Sequence, residues 1–142
     1  MAIARRELWS RLLATSGALA SLRAAAGATA GIDDTPWQRV LEKHVSAIGE
    51  VDYAGIQKDR GDLDNYVKQI ADAAPWNKPD RFPTPAAQLA YYINAYNALV
   101  TAGVVKSYPT KSVRDLGVLY GFFRRDDYVM GGRKISLQTL ER

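Results

Sequence analysis

The run Phe82 to Val105, FPTPAAQLAYYINAYNALVTAGVV, contains no Lys, Arg, Asp, Glu or His. A chain with such a run has few ways to fold, because a helix without a charged face must be covered on nearly every side or lie in a bilayer. Thr84 before Pro85 marks the helix start: a threonine oxygen can cap a free backbone N–H, and proline at the first helical position gives up a donor that would have no partner. Leu89, Tyr92, Ile93, Tyr96, Leu99, Val100 and Gly103 recur at helical spacing on one face. Ala90, Tyr91, Asn94, Ala95 and Ala98 make the opposite side small, aromatic or amide rather than charged. The run is long enough to cross a bilayer, where roughly 20 apolar residues suffice. Gln88, Asn94, Asn97, Thr101 and three tyrosines would lack partners in hydrocarbon, however, so a buried central helix over about 85–105 is expected.

The first 30 residues have the layout of an export signal. Arg5, Arg6 and Arg11 form a basic start, and Leu12 to Leu22 is an uncharged Ala- and Leu-rich stretch too short to anchor. Ala24-Ala25-Ala26 and Ala28-Thr29-Ala30 are small-residue cleavage candidates. Weak hydrophobicity behind paired arginines resembles a twin-arginine signal, although Arg5-Arg6-Glu7-Leu8-Trp9 matches that pattern only in part. This leader holds most of the net charge of +4, with four Arg against one Glu, so residues 31–142 are close to neutral. The basic balance therefore gives no reason to expect a nucleic-acid partner. No stable membrane span is expected once the leader is removed, and an exported, periplasmic or secreted location follows. The chain has no cysteine, which excludes disulfides and thiol chemistry within these residues.

Residues 31–142 fit one small domain. Thr35-Pro36 repeats the cap-then-proline signal, and Trp37, Val40, Leu41, His44 and Val45 follow at helical spacing. His44, the one histidine, lies on that apolar stripe and reads as a packed core residue rather than a ligand or base. Gly49 to Gly55 predicts a short extended segment with Val51 and Tyr53 alternating. A second helix from about Asp62 buries Leu63, Tyr66, Val67 and Ile70 and ends before Pro75. Past the central helix, Ser112 caps a short turn. Gly121 to Met130 reads as a strand, Gly131-Gly132 as a tight turn, Arg133 to Ile135 as the returning strand, and Ser136 as the cap of a further helix. The fold class expected is α+β: helix-rich around the central helix, with a β-hairpin near 121–135.

The sequence holds no nucleophile elbow, His-Glu-x-x-His, phosphate loop or dinucleotide fingerprint. Asp126 and Asp127 are sequence neighbours and would point to opposite faces of a strand, so they read as solvated charge rather than an acid/base pair. Asn94 and Asn97 stand out, since asparagine is a mediocre helix former. Their amides either bond the backbone of a packed neighbour or orient a substrate, with the structural role favoured.

Val51-Asp52-Tyr53, Tyr92-Ile93-Asn94-Ala95-Tyr96-Asn97-Ala98-Leu99, Tyr108-Pro109 followed by Ser112-Val113-Arg114-Asp115, and Ile135-Ser136-Leu137 before Glu141 resemble, in that order, the family called domain of unknown function 547. The resemblance covers about residues 35 to 142, and the Ile-Asn-Ala-Tyr-Asn-Ala-Leu segment is its most specific part. Asn94, Tyr96, Asn97, Arg114 and Asp115 are the candidate structural or substrate-orienting residues. No catalytic residue, metal ligand or cofactor is assigned. The family continues past the Ser-Leu-x-x-x-Glu helix into a histidine and a Cys-Pro segment without counterpart here, so residues 31–142 read as the N-terminal part of an enzyme-like domain, incomplete and not expected to be active alone. The alternatives are a periplasmic module binding envelope peptide or glycan through aromatics such as Trp76 or Tyr120, and a truncated product without independent function.

Overall fold

The computed structural model describes residues 31–109, 121–125 and 128–140. Helix α1 spans Thr35–His44, α2 Tyr53–Lys58 and α3 Gly61–Asp72; a 3₁₀ turn at Pro79–Arg81 leads into α4, Pro85–Ser107. Helix α5, Gly121–Arg124, precedes the strands β1, Tyr128–Met130, and β2, Arg133–Ile135, and α6 covers Leu137–Leu140. The architecture is α+β, with the antiparallel hairpin pairing Tyr128 with Ile135, Val129 with Lys134 and Met130 with Arg133. No helix of the described residues is long and apolar enough to cross a membrane.

Helix α4 runs through the core. Ala95, Ala98, Leu99, Val100, Val104 and Val105 are buried, with α2 and α3 packed on one side and α6 on another. Each large aliphatic side chain buried in this way contributes about 1.5–3 kcal/mol. Thr84 accepts from Ala87 N–H as the expected cap, at 3.1 Å. The apolar face differs from the expected one: Tyr91, Ala95 and Ala98 are buried, whereas Leu89 is 61% exposed and Tyr92, Ile93, Tyr96 and Gly103 only half-buried. A helix that is apolar all round carries almost no amphipathic signal to fix its rotation, so its neighbours decide which side is covered. Its first two turns project beyond them.

Three local expectations are corrected. Residues 121–124 form a helical turn instead of the first half of a strand, with Phe122 and Phe123 edge to face at 5.0 Å, and the hairpin is confined to 128–135. Residues 53–58 are helical rather than extended: Asp52 caps Gly55 N–H at 2.9 Å, and only Val51 keeps a β-bridge, to Val45. Thr35 lies inside α1; its N–H donates to Asp33 Oδ1 at 3.0 Å and the N-cap position is Asp34. The turn over Ser112, and Asp126 and Asp127, lie outside the described residues.

The hairpin is tied to α3 by hydrogen bonds that satisfy a helix end. The last four carbonyls of a helix have no partner within it. Here Gln69 C=O accepts from Ala73 N–H, Ile70 from Gly131, Ala71 from Gly132 and Asp72 from the Asn77 amide, at 2.8–3.1 Å. Gly131 and Gly132 have φ of 51° and 76°, the left-handed values a tight hairpin turn demands. Trp76 completes the seat by donating its indole N–H to Gly131 C=O at 3.2 Å. The other face of the hairpin meets α4 at Gly103, where a side chain would collide with the Tyr128 hydroxyl and the Phe122 ring.

Gly131→Ala should therefore cost about 2–4 kcal/mol, combining left-handed strain with a Cβ placed 2.6 Å from Ala74 Cβ. Gly132→Ala meets nothing within 4 Å and should cost only about 1–2 kcal/mol. Urea unfolding of the two variants checks this; equal losses would show that the Gly131 seat is not tight.

Candidate functional site

The candidate residues Asn94, Tyr96 and Asn97 lie within three residues of one another on α4, but their surroundings differ. Tyr96 is half-buried and packs against the core. Asn94 faces the hydroxyl of Tyr66, a side chain with no exposed surface that donates to Asp34 Oδ1 at 2.6 Å. Burial holds the Tyr66 phenol far above the usual tyrosine range; the Asp34 charge and hydrogen bond add to this, and Asn94, as donor to the phenol oxygen, acts in the opposite sense. Its ring stacks on Trp37 at 6.0 Å, so the Asp34–Tyr66–Asn94 chain links the start of α1 to α3 and α4.

Asn97, 8% exposed, and Thr101, 7% exposed, sit one turn apart and line a cleft between α1, α2 and α4. Trp37 and Val40 from α1 and Tyr53 and Ile56 from α2 form its other walls, and its volume is about 10 Å³. That is about the space of one water, which is held stably only where several polar groups converge. Among the described residues the sealed polar side-chain atom lacking a partner is Arg60 Nε, so the Asn97 and Thr101 polar atoms are each either bonded or in reach of solvent. Burial raises the Tyr53 phenol above its ordinary value.

At the α1–α2 junction, His44 Nδ1 stands 4.0 Å from Asp52 Oδ2, with the imidazole 12% and the carboxylate 62% exposed. Gly55 makes this possible, because a Cβ there would collide with Asp52 Oδ2 and lie 2.8 Å from His44 Nδ1. Asp52 N–H also donates to His44 C=O at 2.8 Å. The backbone bond ties the two helix ends together, and His44 is half-buried at the end of α1 rather than part of the core. Among the described residues no group of three His, Cys, Asp or Glu side chains gathers to hold a metal ion.

Trp76 is half-buried and engaged: its indole N–H is bonded to Gly131, Tyr92 stacks on it at 6.4 Å, and the Arg133 guanidinium lies 5.4 Å above its ring. It fastens the hairpin. Arg114, Asp115 and Tyr120 lie outside the described residues. Sequence reasoning placed Tyr66 in the core and Thr101 among the polar groups of the central helix but gave neither a part in a site, and it missed the roles of Asp34 and Gly55. Only Gly55 carried a signal, a glycine followed by helix-compatible residues; the Asp34–Tyr66 pairing spans 32 positions and has none.

The buried phenols give a pH prediction. Tyr66 and Tyr91 are both held above the ordinary range by burial, so they keep their protons in the folded state while unfolded phenols lose theirs near pH 10. The folded state then binds more protons, and stability falls as pH rises above about 10, by roughly 1.4 kcal/mol per pH unit for each such phenol. Tyr66→Phe should remove one share of that slope and cost about 1–2 kcal/mol at neutral pH, where Asp34 and Asn94 lose a partner. Unfolding midpoints between pH 8 and 11 test this; an unchanged slope would show Tyr66 titrating freely.

Residues 81–142 match the family model described as protein of unknown function, DUF547. The match begins just ahead of α4 and takes in the hairpin and α6, while α1, α2 and α3 precede it. No curated protein and no solved structure matches the chain. The likeness read from the sequence is thus matched over its C-terminal part, and the match supports a DUF547 family domain there.

Proposed function

We propose that this chain is exported and forms part of an enzyme-like domain of the cell envelope, in which Asn97 and Thr101, at a cleft with room for about one water, receive a single hydroxyl or amide group projecting from an envelope peptide or glycan that lies outside it. One observation carries the reading. Asn94 is engaged with the buried Tyr66 hydroxyl, whereas Asn97 and Thr101 line a cleft with apolar walls. An asparagine amide offers a donor and an acceptor side by side, the complement of a peptide group or a sugar N-acetyl. The leader supports export through its basic start, mild apolar stretch and small-residue cleavage candidates. No cysteine occurs in the sequence, so the thiol implied by the family resemblance would have to come from outside these residues. The alternative of an aromatic binding platform gains no support at Trp76, whose N–H and ring face already serve the hairpin.

Calorimetric titration of the purified protein with a soluble disaccharide–peptide fragment of peptidoglycan tests the reading. Wild type and Asn94→Ala should bind, Asn94→Ala with an unfolding free energy lower by about 1 kcal/mol. Asn97→Ala should lose at least tenfold in affinity with little change in unfolding midpoint. Equal binding by wild type and Asn97→Ala, or a stability loss confined to Asn97→Ala, would contradict it.

A further inference from the structure

The cleft at Asn97 and Thr101 has a polar floor and an apolar rim. Asn97 and Thr101 are buried, whereas Leu41, Val45, Val51 and Tyr53, which also line it, are half-buried and mark where it opens. Apart from the Tyr53 hydroxyl, no side chain of that rim can hydrogen-bond. Val45 and Val51 are joined by the antiparallel bridge, and residues 46–50 form a turn standing on them. We propose that the ligand of this cleft is a peptide with aliphatic side chains rather than a glycan, and that Ile48, at the tip of the turn, is a residue that selects it. The inference rests on the ligand reading above and names which of its two ligand classes the rim accepts.

The turn holds its tip in place. Ser46 N–H donates to Glu50 C=O at 2.9 Å, Gly49 N–H to Ser46 C=O at 2.9 Å and Glu50 N–H to Ser46 Oγ at 3.1 Å. Gly49 has a φ of 82°, which lets the chain double back. Ile48 is 76% exposed, more than Leu89 or Val129. A single exposed aliphatic side chain is ordinary on a protein surface. This one is carried by a hydrogen-bonded turn whose two feet are rim residues of the cleft. Three residues separate it from each foot, so its Cα lies at most about 11 Å from either.

The chemistry of floor and rim separates the two ligand classes. A peptide carbonyl oxygen suits a space of about one water, and its two lone pairs match two donors, the Asn97 amide and the Thr101 hydroxyl. On either side of that carbonyl, an aliphatic peptide offers carbon to Leu41, Val45, Val51 and Ile48, and the contact removes apolar surface from water. An extended chain advances about 3.3 Å per residue, so a side chain three residues from the bound carbonyl reaches Ile48. A glycan carries hydroxyl groups around its rings. Pressed against this rim they would lose water without gaining partners, which is costly. Glu50 and Asp52, beside the bridge, do not line the cleft and so do not supply those partners.

Calorimetric titration of the full chain with three probes tests the inference: an uncharged, acetyl- and amide-blocked pentapeptide of alanine and valine, a soluble tetramer of N-acetylglucosamine, and the disaccharide–peptide fragment used above. The pentapeptide should bind at least about tenfold more tightly than the tetramer. Ile48→Asp should weaken pentapeptide binding by about fivefold or more, and Ile48→Ser by about threefold, both with an unchanged unfolding midpoint, while Ile48→Leu should keep the affinity. Tetramer binding equal to or tighter than that of the pentapeptide would overturn the choice of peptide, and so would a disaccharide–peptide fragment that binds while the pentapeptide does not; both leave the roles of Asn97 and Thr101 standing. Pentapeptide affinity unchanged in both Ile48→Asp and Ile48→Ser would overturn the part given to Ile48. Binding of none of the three probes by wild type would instead defeat the ligand reading, and the inference with it.

Discussion

The absence of charge from Pro85 to Val105 of α4 governs how the other elements are placed. From Ala95 to Val105 the helix has buried residues on most of its circumference, so no single partner could cover it. The α2 and α3 helices, the short α6 and the Phe122–Tyr128 region each take a part, and Gly103 allows the last of these to approach the helix backbone. The alternative, leaving a comparable apolar area in water, normally leads to association. Among the described residues the remaining large exposed apolar side chains, Ile48, Leu89 and Val129, are scattered on a loop, the start of α4 and the hairpin.

Burial without direction would leave these elements free to slide, and the hydrogen bonds at helix ends supply the direction. The four terminal carbonyls of α3 are taken by Ala73, the two glycines of the hairpin turn and Asn77, while Tyr91 of α4 reaches the next carbonyl, Ala73, at 2.8 Å. At the far end of α4, Gln57 of α2 donates to the carbonyls of Val105 and Tyr108. Unsatisfied backbone groups in such places are costly, so each bond fixes one element's position along another. The surface ion pairs are less decisive: Arg39 bonds both oxygens of Asp62 and holds its carboxyl below the usual range, but exposed pairs contribute little.

Much of this was readable in the sequence where the signal is local. Thr84-Pro85, the apolar spacing of α3, Gly131-Gly132 and Ser136, which accepts from Thr139 N–H at 3.2 Å, each specify their own element. The missed features depend on distant partners. Helix α2 is only six residues long and is held by its Asp52 cap and by the contacts of Gln57, so its sequence reads as extended. Phe122 and Phe123 suggest a strand until the packing of Phe122 against Gly103 is known. The same limit applies to the candidate site: Asn94 and Asn97 were visible as unusual helix residues, but their division into one amide engaged with Tyr66 and one lining a cleft follows from the rotation of α4, which its composition leaves open.

Native-state hydrogen exchange along α4 tests most directly whether the domain is organised around that helix. The account predicts that amides from Ala95 to Val105 exchange only through global unfolding, with the largest protection in the chain, while those of Ala87 to Ala90 exchange much faster by local opening. Protection of Ala95 to Val105 lower than that of α1 or of the hairpin would contradict it, because the core would then persist while its central helix opened.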